Sequence, residues 1–222
     1  MPDLTVIYYT SNSEKPDFEA KIRQSLLDSM GDLPLISVSQ KPIEFGRNIC
    51  VGQVGRSAQN VFRQMQIGVA AAKTRFVCPA ESDILYPPEY FTFRPPRDDT
   101  FYLAMPLWVL FAQRGGGKVY CRKPHGSESS MVVNRDLLLS RLDVMLANLG
   151  QWGDQDADGD KLPWMLDKRL TRRDHFQLST GVVTFKTDQN LHRKTPHDVL
   201  SKTRELPYWG TATDLIARYM GP

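Results

Sequence analysis

Apolar runs alternate with amphipathic stretches over the first eighty residues of the chain. Leu4 to Tyr9 is a continuous, β-branched apolar run ending in Thr10-Ser11-Asn12-Ser13, which predicts a buried first strand and a polar loop. Phe18, Ile22 and Leu26 then recur every fourth position between Pro16 and Met30. Pro16 suits a first helical turn and Gly31 a helix end, so this stretch predicts a helix. Leu35–Val38 and Asn48–Val51 read as short strands. Ser57 is placed to cap a second helix running through Ala72, with Val61, Met65 and Val69 on one face. Phe76–Ala80 is a further apolar strand, ending at Glu81-Ser82-Asp83. Strand–helix alternation predicts an open α/β sheet, whose ligands sit beyond the carboxyl ends of the strands. The polar residues at those ends are Thr10, Ser11, Ser39, Gln40, Glu81 and Asp83.

The second half is less regular. Thr100–Met105, Lys118–Arg122 and Met131–Asn134 read as strands, and Asp136–Leu149 as a helix. An acidic loop, Gly150–Lys161, separates these from two more short strands, Phe176–Leu178 and Gly181–Phe185, and a last short helix follows Leu206-Pro-Tyr-Trp-Gly210. No repeat or linker interrupts the pattern, which favours one domain.

Composition narrows the classes. With 41% hydrophobic and 24% charged residues the chain is expected to fold. Lys+Arg 28 against Asp+Glu 25 gives a net charge of +3, which neither demands nor excludes nucleic acid. Cys50, Cys78 and Cys121 are far apart and form no CxxC, so neither a disulfide framework nor a cysteine zinc site is expected. No run approaches the roughly 18–20 apolar residues of a membrane span. The N-terminus carries neither a basic region nor an apolar signal segment. These features lead us to expect a soluble protein in a reducing compartment.

Glu81-Ser82-Asp83 is the strongest chemical feature. A regular strand points both carboxylates to one face, and a hard dication bound to phosphate takes such ligands. Taken alone, the triplet better suits solvated acids before a turn at Pro87-Pro88. The preceding residues alter that balance. Gly55-Arg56-Ser57, Asn60, Gly68 and Ala71 precede a buried strand that ends in the acidic triplet. In order and spacing this resembles the GT-A type nucleotide-sugar glycosyltransferases, especially the large inverting group related to cellulose and polysaccharide synthases. Ile49-Cys-Val-Gly52, Phe62-Arg63-Gln64, Tyr86 to Phe91 and Leu206 to Gly210 are similar to small glycosyltransferase-like proteins of bacteriophages and bacteria.

That resemblance implies a single GT-A-like (Rossmann-like) α/β domain over 1–222, an open mixed sheet flanked by helices. Residues 1–95 would form the donor-binding half and 96–222 the acceptor-side half. It implies a nucleotide diphosphate sugar bound by Thr10, Ser11, Asn12, Ser39, Gln40, Asn60, Arg63, Glu81 and Tyr86. Mn2+ or Mg2+ would be held by Asp83 with Glu81 and His197. The sequence departs from the family in two places. Glu81 stands where Asp is usual, and Ala58-Gln59-Asn60 replaces an Ala-Arg-Asn triplet, which moves the basic role to Arg63. For the base that deprotonates an acceptor hydroxyl, Asp154 and Asp156 are the candidates, with Glu128 a further carboxylate. The acceptor is either a hydroxymethylated base in phage DNA or a glycan, in the cytoplasm of a bacterial or phage-infected host cell.

A competing reading keeps the fold without catalysis, as a nucleic-acid- or calcium-binding module. Asp154-x-Asp156-x-Asp158-Gly159 matches the start of an EF-hand loop, but Met165 stands where a bidentate Glu belongs. Basic segments at Arg169–Arg173 and His192–Lys194 suit phosphates as well as they suit a solvated surface. Arg114-Gly-Gly-Gly-Lys118 lacks the spacing of a phosphate-binding loop.

Overall fold

The computed structural model describes residues 3–111, 119–154, 171–190 and 200–221. Strand β1 (Leu4–Thr10) is buried along its whole length because its two faces serve two cores. Leu4, Val6 and Tyr8 face Leu26 and Met30 of helix α1 (Pro16–Met30). Ile7 and Tyr9 face Met65 and Val69 of helix α2 (Ala58–Ala71). This is the continuous apolar pattern expected of a strand covered on both sides. The α1 periodicity buries Phe18, Ile22 and Leu26, and Gly31 leaves the helix at φ 60°. Ser57 caps α2 by accepting from Asn60 N at 3.1 Å.

Parallel strands β2 (Leu35–Ser39), β3 (Arg47–Cys50) and β4 (Phe76–Glu81) complete the first half of the sheet. β1 lies between β2 and β4, with Tyr9 opposite Glu81. Next to β4, β8 (Met131–Asn134) runs antiparallel, and beside it stands the long strand β6 (Thr100–Phe111). β6 also pairs β7 (Tyr120–Arg122) antiparallel and, on its other edge, β9 (Arg172–Lys186) in parallel. β9 in turn pairs β5 (Ile84–Leu85), the two residues that follow Asp83. The result is an α/β fold built on an open mixed sheet of ten strands among the described residues. Helices α2 and α4 (Arg135–Leu146) cover one face, while α1 and α3 (Pro88–Thr92) cover the other. The remaining elements are small: β10 (Ser201–Thr203) pairs β7, and the ribbon of β11 (Glu205–Leu206) and β12 (Gly210–Thr211) leads into α5 (Ala212–Met220).

Three expectations need correction. The strand expected over Thr100–Met105 continues to Phe111, and the two strands expected around Gly181 are one strand, β9. Gly181 marks an irregularity inside that strand, not its end. It lies across from the register shift between Met105 and Leu107, at φ 87°. A Cβ there would meet Pro106 O at 2.5 Å, so the close approach of the two backbones requires glycine. The helix expected over Asp136–Leu149 ends at Leu146; Asn134 caps its start by accepting from Asp136 N and Leu137 N.

Candidate active site

The carboxyl ends of β1, β2 and β4 open into a cleft of about 260 Å³. Its lining includes Thr10, Ser11, Gln40, Glu81 and Asp83, as the strand-end argument expects. Asn60 also lines it, from the first turn of α2.

The acidic triplet forms the floor. Tyr9 Oη donates to Glu81 Oε1 at 2.9 Å, a direct consequence of the β1–β4 register. Asn190 Nδ2 donates to Asp83 Oδ2, and Phe185 N donates to Asp83 O at 2.8 Å, which ties the triplet to β9 and the turn after it. Burial pushes the Glu81 carboxyl above its ordinary range, and the adjacent Asp83 charge pushes it further. Burial also raises Asp83, opposed mainly by the Lys186 charge. Buried oxygen donors of this kind fit a hard dication, which would offset the cost of ionising both. Among the described residues no cluster of three or more metal-ligating side chains occurs. His197, the third ligand expected, lies outside the described residues.

Several expected ligand-binding residues hold the walls together: Gln40 and Asn60 do so while lining the cleft, and Asn12 and Ser39 do so from behind it. Asn12, at φ 53°, accepts from Gln40 N and Lys41 N through its side chain and so joins the β1 loop to the β2 end. Ser39 is fully buried, donating to Lys41 O and accepting from Asn48 Nδ2. Gln40 fixes the Gly55 segment, accepting from Val54 N and Gly55 N at 3.1 Å. Asn60 donates to Val54 O and Gly55 O and accepts from Gly153 N at 2.7 Å. It therefore holds the end of the 150–154 segment against α2.

Two assignments are corrected. Arg63 stands outside the cleft lining; its guanidinium donates to the carbonyls of Leu146, Gly150 and Gln151 and so caps the far side of the α2–α4 junction. Direction around the helix explains this: Gln64, one turn beyond Asn60, still faces the strands and donates to Thr10 O and Val38 O, while Arg63 is turned toward α4. Tyr86 is buried among Tyr90 and Phe91, and its hydroxyl accepts from Glu81 N and donates to Ser129 O. It supports the triplet from behind. Asp154 is exposed and does not line the cleft, and Asp156 lies outside the described residues.

Sequence reasoning missed Glu14, Lys123 and Lys186, all of which line the cleft. Glu14 accepts from Thr187 Oγ1 at 2.7 Å and is pushed up to about 7, chiefly by burial. Lys186 ends the apolar run Val182-Val-Thr-Phe185, so the strand-end rule that selected Thr10 applies to it equally. Glu128, noted only as a further carboxylate, lines the cleft as well.

As a sequence, the chain matches no family model and no curated protein. Its fold does have solved counterparts. TarS 1–349 of S. aureus, in complex with UDP-GlcNAc, superposes with a TM-score of 0.53 and 12% identity, over 88% of this chain and 62% of that one. A glycosyltransferase involved in glycosylating the major capsid of PBCV-1 gives a TM-score of 0.48 at 13% identity, over 82% and 93% of the two chains. The chain has a GT-A-like fold. In that fold the Glu81–Asp83 triplet occupies the end of the fourth strand, at the centre of the sheet, and no described helix is long and apolar enough to cross a membrane.

Proposed function

We propose that the chain is a glycosyltransferase that moves a sugar from a nucleotide diphosphate sugar to an acceptor hydroxyl. The observation that carries this reading is the pair of carboxylates, Asp83 buried and Glu81 half-buried, on the floor of the strand-end cleft. The TarS complex shows that a protein of this fold takes UDP-GlcNAc, which makes that donor the first to try. Thr10, Ser11 and Gln40 would meet the nucleoside, with Asn12, Ser39 and Tyr86 holding those segments in place. Residues 1–95 would supply most donor contacts and 96–222 the acceptor side, in a cytoplasmic enzyme whose Cys50, Cys78 and Cys121 stay unpaired.

Glu81 and Asp83 would hold Mn2+ or Mg2+, with His197 as a third ligand. When bound, the ion would stabilise negative charge on the departing diphosphate. Tyr9 and Asn190 fix one oxygen of each carboxylate, which restricts how the pair can turn. In an inverting transfer the acceptor oxygen bonds to the sugar C1 as the bond from C1 to the phosphate oxygen breaks. The hydroxyl proton passes to a carboxylate base and the nucleoside diphosphate leaves. We assign the base to Asp154 or Asp156, next to the segment that Asn60 clamps, with Glu128 as the competitor inside the cleft. The acceptor is a hydroxymethylated base in phage DNA or a glycan hydroxyl.

Turnover assays with UDP-GlcNAc and related donors, against hydroxymethylated DNA and against oligosaccharides, test this reading. Transfer to one acceptor class is expected, lost in Asp154→Asn or Asp156→Asn and kept in Glu128→Gln. Loss in Glu128→Gln alone would move the base to Glu128. No transfer from any donor, together with salt-dependent DNA binding or Ca2+ binding, would identify a non-catalytic module.

A further inference from the structure

Two lysines face the carboxylates across the cleft. Lys123 follows β7, where its backbone N–H donates to Leu107 O at 2.8 Å, and Lys186 is the last residue of β9. Both line the space that Glu81 and Asp83 floor. Among the described residues neither ammonium has a hydrogen-bond or ion-pair partner, and neither is an orphan sealed away from solvent. They also feel each other: burial and the Lys186 charge lower the pKa of Lys123, while Glu81 and Asp83 raise it. Two like charges are thus kept together in a half-buried space, without a hydrogen-bond or ion-pair partner among the described residues. They suit a ligand that brings more than one negative charge to that spot.

The cleft is thus two-sided, acidic on its floor and basic on the wall formed by the ends of β7 and β9. A metal-bound diphosphate has the same two-sidedness, a cation for the carboxylates and anionic oxygens for the ammonium groups. We propose that Lys123 and Lys186 are the phosphate grip of this cleft, holding the diphosphate of the donor and stabilising the nucleoside diphosphate as it departs. This rests on the donor-site reading above, and extends it to two residues with no counterpart among the motifs found in the sequence. With the lysines in this role, part of the leaving-group charge is met by the protein itself.

The test is binding of inorganic pyrophosphate and of UDP-GlcNAc, each with Mn2+, to the wild-type chain and to Lys123→Met and Lys186→Met, by titration calorimetry. Each substitution is expected to weaken pyrophosphate about tenfold or more, as loss of a charge-assisted contact does. Lys186→Arg should retain binding. Lys123→Met should also raise the melting temperature of the empty protein, a shift opposite to that of a lysine kept for packing. Wild-type binding that neither substitution weakens, in variants that melt cooperatively, overturns the grip. A wild-type chain that binds a nucleotide sugar but no pyrophosphate overturns the grip and keeps the donor site. A chain that binds neither overturns both.

Discussion

Glu14 is held by Thr187 between the first loop and the turn after β9, and its raised pKa has a consequence for stability. Its folded value of about 7 lies above the ordinary 4.5, so folding takes up a proton between those pH values. The stability this contributes is fully present below pH 4.5 and is lost as pH rises through about 7. Glu14→Gln, which keeps the shape without the charge, should therefore leave the melting temperature at about pH 4 unchanged and raise it at pH 8. After discounting for residual solvent screening the gain is about 1 kcal/mol, or ~2–4 °C for a chain of this size. Thermal melts at the two pH values check both arms. Tyr9 gives a second prediction. Its hydroxyl is buried and donates to Glu81, so Tyr9→Phe leaves a buried carboxylate short of a donor. The expected cost is about 1–2 kcal/mol in denaturant unfolding at pH 8, with the Glu81 pKa rising further. An unchanged midpoint would mean that water replaces the hydroxyl.

At the scale of elements, α2 sets the position of the cleft, and it does so through close packing. Gly68 lies where the helix crosses β1 and β2; a Cβ there would meet Ile7 Cγ2 at 2.4 Å and Val38 Cγ2 at 3.2 Å. Gly68→Ala should push the helix off the sheet despite alanine's better helix propensity, costing about 1–3 kcal/mol. Urea unfolding checks this, and a stabilised variant would contradict the packing. The elements of this half were legible in the sequence because each is either continuously apolar, like β1, or apolar every fourth residue, like α1. β6 and β9 were less so. Pro106 makes β6 look finished at Met105, and Gly181 makes β9 look like two short strands, yet the two form one long pair through a register shift. Local periodicity carries no information about that pairing. Helix α4 was legible in type, and only its last turn, Ala147 to Leu149, was read too far.

For the whole molecule, the residues that matter for chemistry were readable to the extent that they end strands. Thr10, Ser11, Gln40, Glu81 and Asp83 follow from that rule, and all five line the cleft. Arg63 and Tyr86 were misplaced because a motif gives order along the chain but not direction in space. One turns away from the strands toward α4, and the other packs under the triplet. Lys123 and Lys186 reach the cleft from forty and just over one hundred residues beyond Asp83, through the return of β7 and β9 beside β6, a topology that no local window reveals. The central claim is that this cleft binds a nucleotide diphosphate sugar through Asp83. Its most direct test is a thermal-shift titration of a nucleotide-sugar panel, led by UDP-GlcNAc, with Mn2+, on the wild-type chain and on Asp83→Asn. The account predicts that at least one donor raises the wild-type melting temperature and that Asp83→Asn loses that rise while still melting cooperatively. A panel that leaves the wild-type chain unshifted, or a donor that stabilises both proteins equally, would contradict it.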